Sequence, residues 1–253
     1  MNLNDEVRSY WEQEPCGSSD WITAGTETNT KQWFDKIEAH RYAWEPCIHA
    51  VAQFSRYYGK KIIEVGVGAG TDHLQWARSG CNLSGVDLTD AAIDTTKKRL
   101  ELYGFESKLQ RVDAEVLPFE DETFDVVYSW GVIHHSEDPE KIIKEIYRVL
   151  KKDGHFIGML YGRYSLVVIK LWFKHALLKL RPFKSFDDVV WNHMESVGTK
   201  SYTTVEMKGL LHSFADVNLM KFITPYDTRR LPRFILNFIP NSLGWFIGFR
   251  AIK

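Results

Sequence analysis

The chain has 253 residues, which is enough for one α/β domain with insertions and a sizeable core. Its 32 Lys and Arg residues nearly balance 33 Asp and Glu residues, so the overall charge gives no reason to expect a nucleic acid as partner. The three cysteines, Cys16, Cys47 and Cys81, have spacings that fit neither a zinc site nor a disulfide framework. We therefore expect free thiols, no metal and a reducing, cytoplasmic environment.

The first residues of the chain are polar and lack the apolar core of a signal peptide. No uninterrupted apolar run reaches the roughly 18 residues that a membrane span needs, so we expect a soluble or membrane-peripheral protein. Residues 1–44 contain four of the nine tryptophans and show no strand pattern. We interpret this segment as an aromatic-rich cap on a domain that spans residues 45–253.

Strands and helices alternate from residue 61 onward. The apolar run over 61–65 predicts a buried parallel strand, and a helix over 71–79 follows it, closed by Gly80. The same patterns predict the remaining strands over 82–87, 108–113, 124–129, 155–161, 216–224 and 243–253. They also predict helices over 90–103, 139–152 and 204–213. This alternation is typical of an α/β protein with a doubly wound, seven-stranded, mostly parallel sheet.

Two stretches, residues 162–200 and 226–242, do not fit the alternation, and we interpret them as lid insertions over the carboxyl ends of the strands. Written as a helix over 163–181, the first insertion places four cations on one face: Arg163, Lys170, Lys174 and Arg181. Bulky apolar residues cover most of the remaining helix surface, and residues 229–246 repeat the mixture. Such a surface suits a cap helix packed on the domain, an apolar acceptor channel, or a face that rests on a membrane.

A glycine-rich loop, Glu64 to Gly70, follows the first strand, with glycines at Gly66, Gly68 and Gly70. In an open α/β sheet ligands bind at the carboxyl ends of the strands, and glycines let the backbone turn sharply and approach a ligand closely. A dinucleotide-binding loop has the spacing GxGxxG, whereas this loop reads GxGxG with an acid two residues ahead. The spacing disfavours a nicotinamide-dependent oxidoreductase and favours S-adenosylmethionine, whose cationic methionine end Glu64 would attract.

Acidic residues end the next two strands. Asp87 lies near the position where an acid binds the ribose hydroxyls in nucleotide-binding units. Asp113 can accept a hydrogen bond from the adenine amino group, and the small Ala114 lets the ring approach. Leu88, beside Asp87, and Ser129, at the end of the fourth strand, complete the candidate cofactor contacts from the sheet.

Four motifs in this order carry a family resemblance: EVGVGAG, GVDLTDAAI, DAEVLPFEDETFDVVYSWGVIHHSEDP and the helix ending LKKDG. Over roughly residues 60–160 the chain resembles the class I S-adenosylmethionine-dependent methyltransferases, most of all the small-molecule branch with the ubiquinone/menaquinone-type methylases. The resemblance implies a Rossmann-like fold and cofactor binding by the Gly66–Gly70 loop, Asp87 and Asp113-Ala114. The acceptor lies beyond what the resemblance covers.

Methyl transfer from a sulfonium is an in-line displacement, so the protein mainly aligns the acceptor and excludes water. The loop after the fourth strand is expected beside the methyl group. In it, His135 and secondarily His134 are candidates for a base or an acceptor ligand, with ordering of the loop as the alternative role. Tyr10 and Trp11 are candidates to close over the cofactor, since an aromatic face suits a sulfonium, and simple packing is the alternative.

These features predict an enzyme that transfers a methyl group from S-adenosylmethionine to a small acceptor of hydrophobic or lipid-linked character, such as a quinone or glycolipid precursor. A polar natural product, a sugar or a protein is the alternative acceptor. A non-catalytic cofactor-binding module is the alternative to an enzyme. Nucleic acid is not expected as a partner, because neither a basic groove pattern nor a base-stacking motif follows the fourth strand.

Overall fold

The computed structural model describes residues 2–13, 15–229, 231, 234 and 238–253. The described chain forms a seven-stranded sheet with the strand order β3-β2-β1-β4-β5-β7-β6. The strands are β1 (Lys61–Val65), β2 (Asn82–Asp87), β3 (Lys108–Arg111), β4 (Phe124–Trp130), β5 (Leu150–Tyr161), β6 (Ala215–Phe222) and β7 (Phe246–Ile252). All neighbouring pairs are parallel except those that β7 makes with β5 and β6. The predicted doubly wound, mostly parallel sheet is confirmed.

Helices connect the strands and precede the sheet. Those before the sheet are α1 (Leu3–Gln13), α2 (Asp20–Thr23), α3 (Lys31–Trp44) and α4 (Cys47–Ala52). Those between strands are α5 (Thr71–Arg78), α6 (Asp90–Tyr103), α7 (Pro139–Val149), α8 (Leu166–His175), α9 (Phe186–His193), α10 (Thr204–Leu210) and α11 (Pro225–Thr228). No helix in the described part of the chain is long and apolar enough to cross a membrane.

Short-range signals explain where these helices begin and end. The Thr89 side chain accepts a hydrogen bond from the Ala92 backbone N–H at the start of α6, and Gly104 ends the helix with a φ of 75°. Asp138 caps α7 directly before a proline at the first helical position. A capping box at Thr203 starts α10. The predicted caps are therefore in place.

The boundary between α7 and β5 differs from the predicted one. The helix ends at Val149, and Leu150 already pairs with Phe124 of β4, so the strand begins before the predicted position 155. A bulge follows, and the register resumes where His155 pairs with Val126. Leu150 is fully buried, and the free energy gained by burying its side chain beside β4 outweighs the free energy of one more turn of helix.

The first insertion is a helical hairpin and not the continuous helix predicted over 163–181. α8 begins after Ser165, whose side chain accepts a hydrogen bond from the Val168 N–H, and it ends at His175. Leu180 then adopts a left-handed conformation with a φ of 55°, and the chain returns as α9. The four cations therefore do not share one helix face. The second predicted insertion, 226–242, lies partly outside the described residues.

The core has one apolar layer on each face of the sheet. Ile62 belongs to one layer and Ile63 to the other, because successive residues of a strand point to opposite faces. A smaller cluster joins α3 to the loop after β1, where Trp33, Phe34 and Ile37 pack against Ala69. The N-terminal helices are thus held against the carboxyl edge of the sheet.

Candidate active site

A cavity of about 780 Å³ lies at the carboxyl ends of β1, β2 and β4. Small-molecule sites typically have volumes of about 300–1,000 Å³. The loops after these strands form part of the cavity wall. Residues of α1 and α3 line it from the N-terminal side, and Glu195 and Tyr226, which follow β5 in the chain, complete it. The chain thus surrounds one cavity from three parts of its sequence.

The glycine-rich loop turns through left-handed backbone conformations, with φ values of 84° at Gly66, 52° at Gly68 and 71° at Gly70. A Cβ at Gly66 would lie 2.1 Å from a methyl carbon of Val132, so no side chain fits there. A Cβ at Gly68 would keep an ordinary 3.6 Å from Cys16 Cβ, so Gly68 is required by its backbone conformation and not by lack of space. Gly70 starts α5 and lies outside the cavity lining.

Asp87 ties the second strand to the glycine-rich loop. Its Oδ2 accepts a hydrogen bond of 3.1 Å from the Gly68 N–H, and its Oδ1 accepts from the N–H and the hydroxyl of Thr89 at 3.0 and 2.9 Å. Burial raises the pKa of Asp87, although these hydrogen bonds oppose the shift. Asp87, the acid expected to bind the ribose, and the neighbouring Leu88 both line the cavity.

Glu64 lines the cavity but its carboxyl group already has a protein partner. Its Oε2 lies 2.9 Å from Nδ1 of His73, which is fully buried in α5. Burial and the nearby Asp72 raise the pKa of Glu64 well above its ordinary value, and burial lowers the pKa of His73 to about 3. Both shifts favour a neutral Glu64–His73 pair, so the attraction of Glu64 for the cationic methionine end, expected from the sequence, is weakened.

Asp113 meets the N-terminal helix at the edge of the cavity. Asn4 donates from its amide to Asp113 Oδ2 at 2.9 Å and to Glu115 Oε1 at 2.7 Å, and its carbonyl oxygen accepts from the Glu137 N–H at 2.8 Å. Asp113 Oδ1 accepts from the Glu115 N–H at 3.0 Å. Ala114 also lines the cavity beside Asp113. The adenine site expected from the sequence is therefore covered by α1.

The two aromatic residues predicted to close the site both lie on its wall. Tyr10 and Trp11 meet edge to face with ring centroids 4.9 Å apart, and Trp11 packs in the same way against His135 at 5.5 Å. Ser129 and His134 lie elsewhere. Ser129 donates its hydroxyl hydrogen to the Val65 carbonyl oxygen, and the fully buried His134 packs on Tyr161 with ring centroids 3.8 Å apart.

A polar group on the cavity wall consists of His135, Tyr161 and Glu195, supported by Ser196 and Thr199. Tyr161 donates its hydroxyl hydrogen to Glu195 at 3.1 Å, and Glu195 Oε2 lies 3.4 Å from His135 Nε2. On the other side of the ring, Nδ1 lies 2.9 Å from Ser196 Oγ and 3.0 Å from Thr199 Oγ1.

The hydrogen-bond network assigns the tautomer of His135. The single hydroxyl hydrogen of Thr199 is directed to the backbone oxygens of Ser196 at 2.7 Å and Met194 at 3.0 Å, so Thr199 Oγ1 accepts from His135 Nδ1–H. The proton on Nδ1 leaves Nε2 with a free lone pair. Nε2 is buried without a hydrogen-bond partner among the described residues, and it lies beside Glu195.

A second buried network fixes the wall formed by α3. Arg41 binds Asp72 of α5 with two nitrogens, at 3.0 and 2.6 Å, and lies 3.4 Å from Glu45 Oε1. The indole N–H of Trp130 donates to Glu45 Oε2 at 2.7 Å. Burial raises the pKa of Glu45 against the opposing effect of Arg41. Arg41, Glu45 and Trp130 all line the cavity.

The sequence patterns do not reveal several polar residues at the cavity or at its contact with α1, among them Asn4, Arg41, Glu45, Tyr161 and Glu195. Tyr161 is the last residue of β5, so the rule that identified Asp87 at a strand end would have found it. Arg41 and Glu45 form an i,i+4 acid–base pair, a pattern that exposed helices also carry, and it gave no sign of burial. Glu195 lies in the insertion, and nothing in its local sequence predicts its place.

Cys16 also lines the cavity, over the glycine-rich loop. The three cysteines are free thiols in the structure, as expected. Cys16 is exposed toward the cavity, but desolvation by the surrounding protein atoms, reinforced by nearby carboxylates, raises the pKa of its thiol to about 12. The thiol is therefore protonated at neutral pH, and its contribution to the cavity is steric.

The residues present fit S-adenosylmethionine. The backbone of Gly68 lines the cavity without a side chain, and Asp87 and Asp113 lie on neighbouring loops that face the same cavity. The wall carries more carboxylates than cations, which suits a ligand with a sulfonium and an ammonium group. Aromatic faces at Tyr10 and Trp11 add a surface favourable to a cation.

Comparison with known proteins agrees with this fit. Residues 63–158 match a family model described as a methyltransferase domain. A phthiotriol/phenolphthiotriol dimycocerosates methyltransferase from Mycobacterium leprae is 38% identical over 109 residues, which are 42% of this chain and 40% of the relative. Sterol 24-C-methyltransferase erg6 from Aspergillus fumigatus is 26% identical over 181 residues, 60% of this chain and 48% of the relative.

A solved structure extends the likeness beyond the matched segment. The S-adenosylmethionine-dependent methyltransferase from Mesorhizobium loti superimposes with a TM-score of 0.60 at 17% identity, over 81% of this chain and 96% of the other. At that identity the likeness concerns the fold. The chain covers 39–40% of the length of several curated relatives that it matches. Family match and fold together confirm the predicted class I methyltransferase domain and S-adenosylmethionine as its cofactor, without singling out the ubiquinone/menaquinone branch.

Proposed function

Because residues 63–158 form a methyltransferase domain of the class I fold, we propose that this protein is an enzyme that transfers a methyl group from S-adenosylmethionine to a small acceptor. The observation that carries the proposal is the single cavity in which the glycine-rich loop, Asp87 and Asp113 face the polar group around His135. Residues 2–44 act as a cap that closes this cavity over the domain.

When bound, S-adenosylmethionine supplies a methyl group activated by its sulfonium. The protein residues orient the two reactants and exclude water. Asp87 would accept hydrogen bonds from the ribose hydroxyls through oxygens already fixed by Gly68 and Thr89. Asp113 would accept one from the adenine amino group under the cover of α1, and Tyr10 and Trp11 would shield the methyl end.

His135 is the proposed proton acceptor for an acceptor hydroxyl or amine. Its Nε2 carries a lone pair because Thr199 accepts a hydrogen bond from Nδ1–H. When the bound cofactor methylated a hydroxyl or amine, Nε2 of His135 would take up the proton that the acceptor atom loses. Glu195, 3.4 Å from Nε2, stabilises the imidazolium that forms. His134 has no place in this step, because it does not line the cavity.

We propose that the acceptor is hydrophobic or lipid-linked and is met at a membrane surface. Two named relatives, the phthiotriol/phenolphthiotriol dimycocerosates and sterol methyltransferases, support this choice. The aromatic side chains of Trp130, Tyr161 and Tyr226 offer apolar contact inside the cavity. A polar natural product, a sugar or a protein is the alternative acceptor, and the carboxylates Glu45 and Glu195 are the feature that favours it.

The proposal is tested first by calorimetry with S-adenosylhomocysteine and NADH, and then by transfer of a labelled methyl group from S-adenosylmethionine. Wild-type protein should bind S-adenosylhomocysteine and not NADH, and Asp87→Ala should weaken that binding by about 1–3 kcal/mol.

In the transfer experiment, the labelled methyl group should enter a mixed lipid extract rather than a water-soluble metabolite extract. His135→Gln should lower the transfer rate about 10²–10⁴-fold with cofactor binding retained. Binding without transfer to either extract would favour the non-catalytic module.

A further inference from the structure

The tip of the α8–α9 hairpin exposes an unusual amount of apolar surface. We define the hairpin tip as residues 177–183. Leu178 is 63% exposed, Leu180 91% and Phe183 100%. Single exposed apolar residues are ordinary on protein surfaces, but several on one protruding turn mark an interaction site.

The hairpin tip is an ordered turn and not a loose loop. The Leu180 N–H donates to the Leu177 carbonyl oxygen at 3.0 Å, and the Arg181 N–H donates to the Ala176 carbonyl oxygen at 2.9 Å. At the base, the indole N–H of Trp172 donates to the Lys184 carbonyl oxygen at 2.8 Å. The exposed leucine and phenylalanine side chains are therefore held outward by a fixed backbone, so their exposure is built into the fold.

Positive charge surrounds these apolar residues. Residues 163–186 contain six Lys or Arg residues and no Asp or Glu, in a chain whose net charge is -1. Arg163 and Lys184 are neutralised by ion pairs to residues of α9 and α10, namely Asp187, Asp188 and Glu206. Lys174, Lys179 and Arg181 are exposed and form no ion pair within the described part of the chain. Three uncompensated cations thus flank Leu178, Leu180 and Phe183.

We infer that the hairpin tip docks on a membrane that contains anionic lipid. Leu180 and Phe183 enter the boundary between headgroups and acyl chains, while Lys174, Lys179 and Arg181 remain at the level of the lipid phosphates. A protruding apolar turn ringed by cations matches the two attractions that bind a peripheral protein, burial of apolar area and electrostatic attraction to anionic headgroups. A protein groove would not require the surrounding ring of cations.

The hairpin also connects the docking surface to the cavity. α9 ends at His193, and Glu195, Ser196 and Thr199 follow at once with their contacts to His135. A protein docked through the hairpin tip would therefore hold its cavity close to the bilayer. This inference rests on the proposed lipid-linked acceptor for its biological purpose, but membrane docking itself is measured without any methyl transfer.

The test is co-sedimentation of the full chain with vesicles of phosphatidylcholine alone and of phosphatidylcholine mixed with phosphatidylglycerol. Wild-type protein should sediment with the mixed vesicles and be released by high salt. The double variant Leu180→Ser/Phe183→Ser and the double variant Lys179→Gln/Arg181→Gln should each lower the partition coefficient at least about tenfold.

The matched control is Tyr58→Ser/Lys60→Gln, which removes one apolar side chain, 78% exposed, and one exposed cation at the opposite end of β1. It should sediment like the wild type. The inference would be overturned if the wild type, the two tip variants and the control all sedimented equally, or if the wild type did not sediment with the mixed vesicles. A dimer in solution that only the tip variants dissociate would also overturn it, since the tip would then be a protein interface. Binding of S-adenosylhomocysteine, measured on the same samples, separates these outcomes from a failure of the proposed function or of folding.

Discussion

Gly66 has the tightest steric constraint in the glycine-rich loop, and alanine substitutions at Gly66 and at Gly104 isolate it. Gly66 and Gly104 have similar left-handed φ values, 84° and 75°, but a Cβ would clash with Val132 at Gly66 and meet open space at Gly104. Both substitutions should cost about 1–2 kcal/mol of unfolding free energy from the backbone. Gly66→Ala should cost about 1–3 kcal/mol more, because Val132 must move.

The two variants should also differ in ligand binding. Val132 lines the cavity, so its displacement in Gly66→Ala should weaken binding of S-adenosylhomocysteine at least about tenfold, while Gly104→Ala should bind like the wild type. Urea unfolding and calorimetry on both proteins measure these quantities. Equal destabilisation of the two variants, with equal affinities, would contradict the assignment of the loop.

His134 should make the fold sensitive to acid. Burial, with contributions from His135 and Lys200, lowers its pKa well below 6.5, and neither ring nitrogen has a hydrogen-bond partner among the described residues. Below pH 6.5 the unfolded chain binds a proton at this site and the native chain does not. Stability should therefore fall by about 1.4 kcal/mol per pH unit from this one group as the pH drops toward the native pKa.

The substitution His134→Gln removes this titration. When the pH is lowered from 7.5 to about 5, the free energy of unfolding should fall less steeply in the variant. The difference between the two slopes should correspond to about one bound proton. The slope of stability against pH reports the titration alone, because the lost packing against Tyr161 lowers the stability of the variant equally at every pH. Parallel curves for the two proteins would mean that His134 is protonated in the native state.

The sequence predicts a site residue when local patterns are enough, and it fails when the partners of that residue lie far along the chain. Asp87 ends β2 and Asp113 follows the end of β3 by two residues, so a rule about strand ends predicts both as site residues. The state of His135 depends on Thr199, 64 residues away, and no local pattern contains that pairing. His134 and His135 are adjacent in sequence with the same residue type, and only the turn after β4 directs one inward and the other to the cavity.

At the level of the helix, α1 is held on the domain by a few polar side chains. Asn4 makes three hydrogen bonds to the loops after β3 and β4, and Glu12 accepts from the Asp90 and Ala91 N–H groups at the start of α6. Val7 is the apolar residue of α1 that is buried. With so little apolar burial, the helix should open locally more readily than the sheet.

Asn4→Ala should therefore loosen α1 without unfolding the domain. Loss of its hydrogen bonds lowers the local opening free energy by roughly 1–3 kcal/mol, so amide hydrogen exchange over residues 3–13 should speed up about 5–100-fold. The melting temperature should change little. Ser9→Ala is the matched control, because Ser9 donates within the helix to the Asp5 carbonyl oxygen and leaves the docking contacts intact. Equal exchange in both variants would show that α1 is held by other contacts.

The elements differ in how well the sequence predicts them, for a physical reason. β1, β2, α5 and α6 have clear apolar runs and caps, and their predicted bounds hold to within one residue. The α7–β5 junction and the α8–α9 hairpin depend on tertiary contacts instead. Leu150 is drawn into the sheet by Phe124, and Arg163 is held outside α8 by Asp187 and Glu206. The periodicity of a helix contains no information about such tertiary contacts, so it predicts neither boundary.

For the whole molecule, the cavity brings together three distant parts of the chain: the N-terminal cap, the loops of the sheet and the segment after α9. A ligand in this cavity contacts parts that must separate on unfolding, so it binds the native state and not the unfolded chain. At a concentration of 100 times its Kd, S-adenosylhomocysteine should add about 2.7 kcal/mol to the free energy of unfolding.

For a chain of this size, that gain raises the melting temperature by about 5–10 °C, measurable by calorimetric scanning. The rise should grow with the logarithm of ligand concentration, and NADH should produce none. In Asp87→Ala the same concentration of S-adenosylhomocysteine should give a clearly smaller rise, because the affinity is lower. Since α1 and the loops of the sheet both line the cavity, hydrogen exchange in α1 should slow in step with the rise. A stabilised domain with an unprotected α1 would mean that the cap does not close on the cofactor.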